Sequence, residues 1–419
     1  MRAKLPAIMA GALLCCGAHA DQGADWVGGF VLASQEAARL QATPLNVDNF
    51  LGIPERKTTL ATLLEGRYRD ITWRARIEAR HTGIDGQHTG FGATVQELNR
   101  VFQLTPGVTL SAGKRLYALD PGFVNQPLGF LQKRTDLSDP LDTLGQSEGL
   151  PLAALSWTGA RASATAIYSN DAQRHADGYN RGVEQAIVRI GYEFDQLSAS
   201  VLLRRASGEA RGAGMALSGA VGDSLSWYGS AYTALGSQRP ILAAVLEPAS
   251  SGEAGLESGP GPLRADDSRR YTRATVGMTY VFAALPKLQL EYAYDGRGMS
   301  DAQFARMQAL IERNARAPLP DYVRKVLQAE VAQLLSSQGA RRRYLSVSLA
   351  QTAGDWELGG GVYVGQDDRS KVWHGTADYH YTNRITLMLS ALRQTGTAGS
   401  ERALSPLSGT LAVRLRWVF

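Results

Sequence analysis

The 419-residue chain carries a formal charge of +5, is 20% charged, and holds 45 glycines and 16 tyrosines but only 2 cysteines. Its basic residues form no run able to serve as a phosphate-binding tail, which argues against nucleic acid as a partner despite a pI near 9.1. After residue 20 no apolar segment reaches the roughly 20 residues that a spanning helix needs, so any membrane crossing falls to strands.

From the start of the chain, residues 1–20 read as a cleavable export signal. Arg2 and Lys4 give a positive beginning, Leu5 to Gly17 a short apolar core, and Ala18-His19-Ala20 the small residues that a signal peptidase reads. Cys15 and Cys16 both fall inside it, and Leu14 and Cys15 stand before them where lipid attachment requires a small residue. The mature portion, 21–419, then has no cysteine and no disulfide, which suits an oxidising compartment.

Alternating segments follow. A first strand is predicted near Trp26 to Ser34. Leu60, Thr62, Leu64, Gly66 and Tyr68 then oppose Ala61, Leu63, Glu65, Arg67 and Arg69, and Trp73, Ala75, Ile77 and Ala79 oppose Arg74, Arg76, Glu78 and Arg80. Ala186, Val188, Ile190, Tyr192 and Phe194 oppose Ile187, Arg189, Gly191 and Glu193. Trp373, Gly375, Ala377, Tyr379 and Tyr381 oppose His374, Thr376, Asp378, His380 and Thr382. The final strand sets Leu411, Val413, Leu415, Trp417 and Phe419 against Ala412, Arg414, Arg416 and Val418. Such runs reach about 10–14 residues, beyond the usual ~5–6 of soluble sandwiches, and suit tilted membrane strands with one lipid face and one wet face.

Tight turns are predicted at Arg69-Asp70, Thr105-Pro106-Gly107, Thr158-Gly159, Asp195-Gln196, Gly222-Asp223, Leu285-Pro286, Gly354-Asp355 and Thr382-Asn383. With the first and last strands, these hairpins give an all-β transmembrane antiparallel barrel of about 18 strands, 16 being the alternative. Tyr68, Trp73, Tyr192, Phe194, Tyr280, Phe282, Trp356, Tyr379, Tyr381 and Trp417 lie close to these turns, where an interfacial girdle belongs. The tight turns are assigned to the periplasm and the long connections, 35–57, 120–149, 172–183, 237–269 and 297–340, to the extracellular side. In residues 301–336, Phe304, Met307, Leu310 and Ile311, then Tyr322, Val323, Val326, Leu327, Val331, Leu334 and Leu335, recur at helical spacing around Pro318 and Pro320. That predicts two amphipathic helices in a loop that either caps the pore as a packed lid or gates it.

The strand registers place Arg67, Arg69, Arg74, Arg76, Arg80, Arg115, Arg189, Arg204, Arg273, Arg414 and Arg416 on the inward face. They outnumber the inward acids Glu65, Glu78, Glu193, Glu291, Glu357 and Asp378, so the lumen is predicted to be net positive. Such a wall concentrates anions, and arginine forks match carboxylates. The alternative is that these arginines brace the wall by pairing with Glu65 and Glu78. Arg67, Arg69, Arg74 and Arg76, with Arg414 and Arg416 across the closure, are predicted to make one basic patch. The stretch from Gly113 to Leu131 leaves a strand through Asp120-Pro121-Gly122. It is either a constriction with Lys114, Arg115, Asp120 and Asn125 facing the path, or a packed loop.

With that stretch, the signal, the strand count, the arginine-biased wall and the terminal Phe419, the chain resembles alginate-export-type outer-membrane porins. The resemblance implies an 18-stranded barrel whose basic lumen conducts an anionic polyuronate. Resemblance to outer-membrane proteins in general implies recognition of Phe419 by the barrel-insertion machinery. Outer-membrane lipid and an anionic solute or polysaccharide are the further partners expected.

A barrel hydrolase acting on envelope lipid or peptide is the competing class, and a structural or adhesive barrel the third. His374, Asp378 and His380 share one inward face, but no motif sets a serine beside them, and a polar lining explains them. No metal spacing and no Gly-rich phosphate loop appears, so neither metal, cofactor nor enzymatic activity is expected.

Overall fold

The computed structural model describes residues 25–83, 88–133, 144–171, 183–207, 209–237, 241–242, 263–264, 269–283, 286–316, 320–324, 328, 331 and 339–419. The export signal expected at 1–20 and most of the second helix expected within 301–336 lie outside the described residues. Eighteen antiparallel strands close into one barrel. In chain order they are β1 (Trp26–Leu40), β2 (Arg56–Tyr68), β3 (Ile71–Gly83), β4 (His88–Thr105), β5 (Val108–Arg115) and β6 (Glu148–Thr158). There follow β7 (Ala162–Asn170), β8 (Glu184–Glu193), β9 (Leu197–Ala206), β10 (Glu209–Val221), β11 (Leu225–Leu235) and β12 (Arg270–Val281). The last are β13 (Lys287–Asp295), β14 (Arg343–Ala353), β15 (Trp356–Gly365), β16 (Lys371–His380), β17 (Ile385–Thr395) and β18 (Leu407–Val418).

Closure is a ladder between β1 and β18, from Phe30↔Val418 to Leu40↔Leu407, and the Phe419 N–H donates to the Gly29 carbonyl at 3.1 Å. The ring of eighteen strands therefore has no open edge, which is what a sheet in hydrocarbon requires. Every tight turn read from the sequence whose residues are described joins a hairpin at one end of the barrel, and Leu285 of the Leu285-Pro286 turn lies outside the described residues. The long connections all leave the other end, with short links such as 366–370 between them. The first long connection is 41–55 rather than 35–57. Alternation continues through Gln35, Glu36, Ala37, Ala38 and Arg39, and those residues stay paired with β2 and β18.

The period of two decides what faces out. Along β9 the exposed Val201 and Leu203 (66%) alternate with the buried Leu202 and Arg204. Along β18, Leu411, Val413, Leu415 and Trp417 are exposed while Ala412 is buried. The result is a continuous apolar outer belt far beyond the few hundred Å² that water-facing monomers tolerate. At the tight-turn end the belt closes in aromatic pairs: Tyr192–Phe194, Tyr280–Phe282, Trp356–Tyr379 and Trp417–Phe419, with ring centroids 4.7, 4.7, 4.8 and 5.9 Å apart.

The other end carries a lid. Helix α1 (Asp301–Arg316) starts with a reciprocal cap: the Ser300 N–H donates to Gln303 Oε1 (2.9 Å), and the Gln303 N–H to Ser300 Oγ (3.3 Å). Its apolar stripe of Phe304, Met307, Leu310 and Ile311 packs with Leu45 of the first long loop and Leu404 of the loop before β18. A second helical turn begins at Asp321.

Candidate functional site

The loop between β5 and β6 folds into the barrel and holds both walls. Its departure is set by Asp120, whose buried carboxylate accepts the backbone N–H groups of Gly122 (2.7 Å) and Leu128 (2.5 Å) and the Ser230 hydroxyl of β11 (3.0 Å). Burial pushes the Asp120 carboxyl above its ordinary range, while those donors and nearby Arg273 pull it down.

Beyond that turn, the loop reaches the opposite wall at Glu291 of β13, which is 1% exposed. The Glu291 carboxylate accepts the N–H groups of Phe123 (2.9 Å), Val124 (3.0 Å) and Asn125 (2.6 Å). It also accepts the Asn125 side-chain amide (2.8 Å) and the Tyr228 hydroxyl (2.5 Å). Tyr228, Gly277 and Glu291 form one cross-strand row. A Cβ on Gly277 would lie 2.4 Å from the Tyr228 ring, so the bare glycine lets that ring cross β12 to its partner. Tyr363 of β15 donates to Asn125 Oδ1 at 3.3 Å and stacks on Tyr344, whose hydroxyl donates to buried Glu401 under the lid.

Apolar packing fixes the rest of this limb. Leu128 and Leu131 are fully buried against Leu152, Ile167, Ile187 and Leu202, inward residues of β6 to β9. Each such leucine contributes about 1.5–3 kcal/mol. The Phe130 ring lies under the guanidiniums of Arg204 (4.2 Å) and Arg273 (5.1 Å), with Tyr232 edge-on.

The returning limb touches the far side. Leu144 packs with Leu32, Ala61, Met388 and Phe30, and its carbonyl accepts from Arg76 Nη1 at 2.7 Å. A bulge between β3 and β4 aims Gln96 inward, where its amide donates to the Gly145 carbonyl at 2.7 Å.

The inward arginines thus divide by partner. Arg74 faces Glu65 at 3.6 Å, and Arg76 and Arg80 share Glu78, so these brace the wall. Arg204 and Arg273 clamp the loop. Arg67, Arg115, Arg189, Arg414 and Arg416 lie on the inward face with no ion pair among the described residues; Arg115 stacks on Tyr117 at 5.3 Å and Arg414 donates to Ser390 at 2.6 Å.

Several expectations need correction. Arg69 does not line the wall: it occupies the tight turn with φ 54° and lies over the outward Tyr68 ring at 5.3 Å. Lys114 does not face the path either. Its register partners Leu98 and Pro151 point outward, and it pairs with Glu148. Asp120 and Asn125 are fasteners of the crossing loop rather than groups open to the lumen. The basic patch is not continuous, because Phe30, Leu32, Ala61 and Leu63 separate Arg74 and Arg76 from Arg414 and Arg416, and Leu144 covers that gap.

Glu291 as a hub was invisible to sequence reasoning beyond its inward register, as was the Arg204–Phe130–Arg273 stack. His374 shares the inward face but bonds to no hydroxyl among the described residues. His380 lies 3.3 Å from Glu357 and 3.3 Å from the Thr386 hydroxyl, yet Thr386 is 4% exposed, leaving no space for an acyl substrate. Among the described residues no group of three or more His, Cys, Asp or Glu is placed to hold a metal.

Neither the family models nor the curated proteins compared with the chain match it. Solved structures do. OccAB1 of Acinetobacter baumannii superposes with a TM-score of 0.54 at 10% identity, covering 94% of this chain and 96% of its own. OccK5 (OpdH) of Pseudomonas aeruginosa gives 0.51 at 8% identity, covering 94% and 98%. At such identities the likeness concerns the fold, an 18-stranded barrel.

Proposed function

We propose that the chain is an outer-membrane channel that passes anionic solutes through an arginine-biased lumen narrowed by the loop limbs at 116–133 and 144–147. The carrying observation is the set of inward arginines that make no ion pair among the described residues, Arg67, Arg115, Arg189, Arg414 and Arg416, the last two sharing only the more distant charge of Asp378, in a barrel whose apolar belt and aromatic rim fit a bilayer. The tight turns then face the periplasm and the lid faces outward. Outer-membrane lipid surrounds the belt, and Phe419 is the insertion signal.

A loop held on both walls favours a small carboxylate over a bulky polymer. The polyuronate implied by the resemblance is the second reading, supported by the arginine bias alone. A hydrolase is less well supported, since in the acid–His–hydroxyl group formed by Glu357, His380 and Thr386 the hydroxyl is buried, and an adhesive barrel does not explain an inward charge bias.

Planar-bilayer recording tests this reading. Under a salt gradient the reversal potential should report anion preference, and Arg189→Gln with Arg416→Gln should move it towards cations. An unchanged preference in a conducting variant refutes the anion path. Absence of conductance, both in the intact chain and in one lacking 301–336, refutes the channel.

A further inference from the structure

At the barrel seam the outward face carries a charge pattern that the lumen does not explain. Arg39 of β1, Gly409 of β18 and Arg393 of β17 form one cross-strand row near the loop end. Both arginines are exposed on the outer face, level with the exposed Trp373, which is Arg393's register partner on β16. Arg56 on β2, the register partner of Ala37, and Lys371 on β16, the register partner of Thr395, lie one outward position off the row on either side, also pointing out. The outward positions of β2, β1, β18, β17 and β16 contain these cations and no acid.

Arg39, Arg56 and Arg393 make no ion pair among the described residues, whereas the acids of the neighbouring loop are occupied. Asp367 holds the Arg342 and Arg343 N–H groups, and Asp368 those of Ser370 and Glu401. Elsewhere the outward rim mixes signs, as at Glu184 of β8 and Arg205 of β9.

Strands lie about 4.8 Å apart, so Arg39 and Arg393 flank Gly409 across roughly 10 Å, a span from which two guanidiniums can converge on one phosphate. With no side chain on Gly409, the row opens into a cleft of about 520 Å³ lined by all three residues. Immediately below are exposed apolar residues, Leu411, Val413 and Leu389, along which an acyl chain can lie.

We propose that this outward rim, Arg39 and Arg393 around Gly409 with Arg56 and Lys371 at its flanks, binds the phosphate of an anionic membrane lipid. The inference rests on the membrane placement in the functional reading above, not on the anion path. Forked donors supply two charge-assisted bonds per arginine, and the apolar belt supplies the affinity that a soluble anion lacks.

Native mass spectrometry of the detergent-solubilised full chain with phosphatidic acid, against phosphatidylcholine as control, tests it. Selective retention of phosphatidic acid is expected. Arg39→Gln with Arg393→Gln should weaken it about tenfold or more per arginine, while Arg205→Gln leaves it intact. Equal retention of both lipids overturns the proposal, as does displacement by inorganic phosphate alone, which would assign the rim to a soluble anion. The double variant should keep its conductance, which verifies folding. Lipid selectivity in a chain that does not conduct would refute the channel and leave this site standing.

Discussion

Glu291→Gln tests the crossing loop directly. The carboxylate accepts from Phe123, Val124 and Tyr228 on Oε2 and from the Asn125 N–H and side-chain amide on Oε1. A glutamine keeps the shape but turns one of those oxygens into a donor, so at least two contacts become donor against donor. Hydrogen bonds to a charged acceptor contribute ~1.5–3 kcal/mol each, and buried donors left unpaired add to the cost. The substitution should therefore weaken the docking of 123–125 by on the order of 3–5 kcal/mol, raising the undocked fraction more than a hundredfold. Leu128 and Leu131 stay anchored, so the loop lifts locally rather than leaving the lumen. Single-channel recording should show larger and noisier openings, and a Val124→Cys probe should become reactive to a polar thiol reagent. Unchanged conductance with unchanged reactivity would refute the assignment of Glu291 as the fastener.

Gly277→Ala places a methyl 2.4 Å from the Tyr228 ring and should reproduce part of the Glu291 phenotype; a variant that conducts like the parent argues that Tyr228 is dispensable. Met307→Ala, which empties a fully buried site in the lid core, should lower lid stability by about 2–5 kcal/mol and expose α1 to proteolysis before the barrel melts. Because burial raises the Asp120 carboxyl, its contribution to docking is complete below the ordinary carboxylate range and is lost as pH rises through the elevated value. Acidification should therefore reduce Val124→Cys reactivity relative to that of a small free thiol at the same pH, which corrects for the falling thiolate fraction, and Asp120→Asn should flatten that ratio; an identical ratio profile in the variant rules Asp120 out as its source.

The barrel was legible because a period of two survives any detail of packing: in β18 the outward Leu411, Val413 and Leu415 are separated letter by letter from the inward Ala412, Arg414 and Arg416. The loop was legible as unusual but not in its contacts. Asn125 and Glu291 are separated by 166 positions, and nothing local tells a lumen-facing amide from one spent on a carboxylate. Alternation alone separates Lys114 from Arg115, so both could not face the path. The inward Phe30, Leu32, Ala61 and Leu63 also stood in the pattern, but an apolar inward patch makes sense only with Leu144 as its cover.

The seam between β1 and β18 also orders assembly in time. Its partners lie almost a whole chain apart, the highest contact order available, so the entropy of bringing them together opposes this ladder more than any hairpin. Gly409 and Arg393 meet Arg39 only across that ladder. The cation rim is thus absent from every partly zipped intermediate, and a lipid that prefers it stabilises the closed ring over open ones.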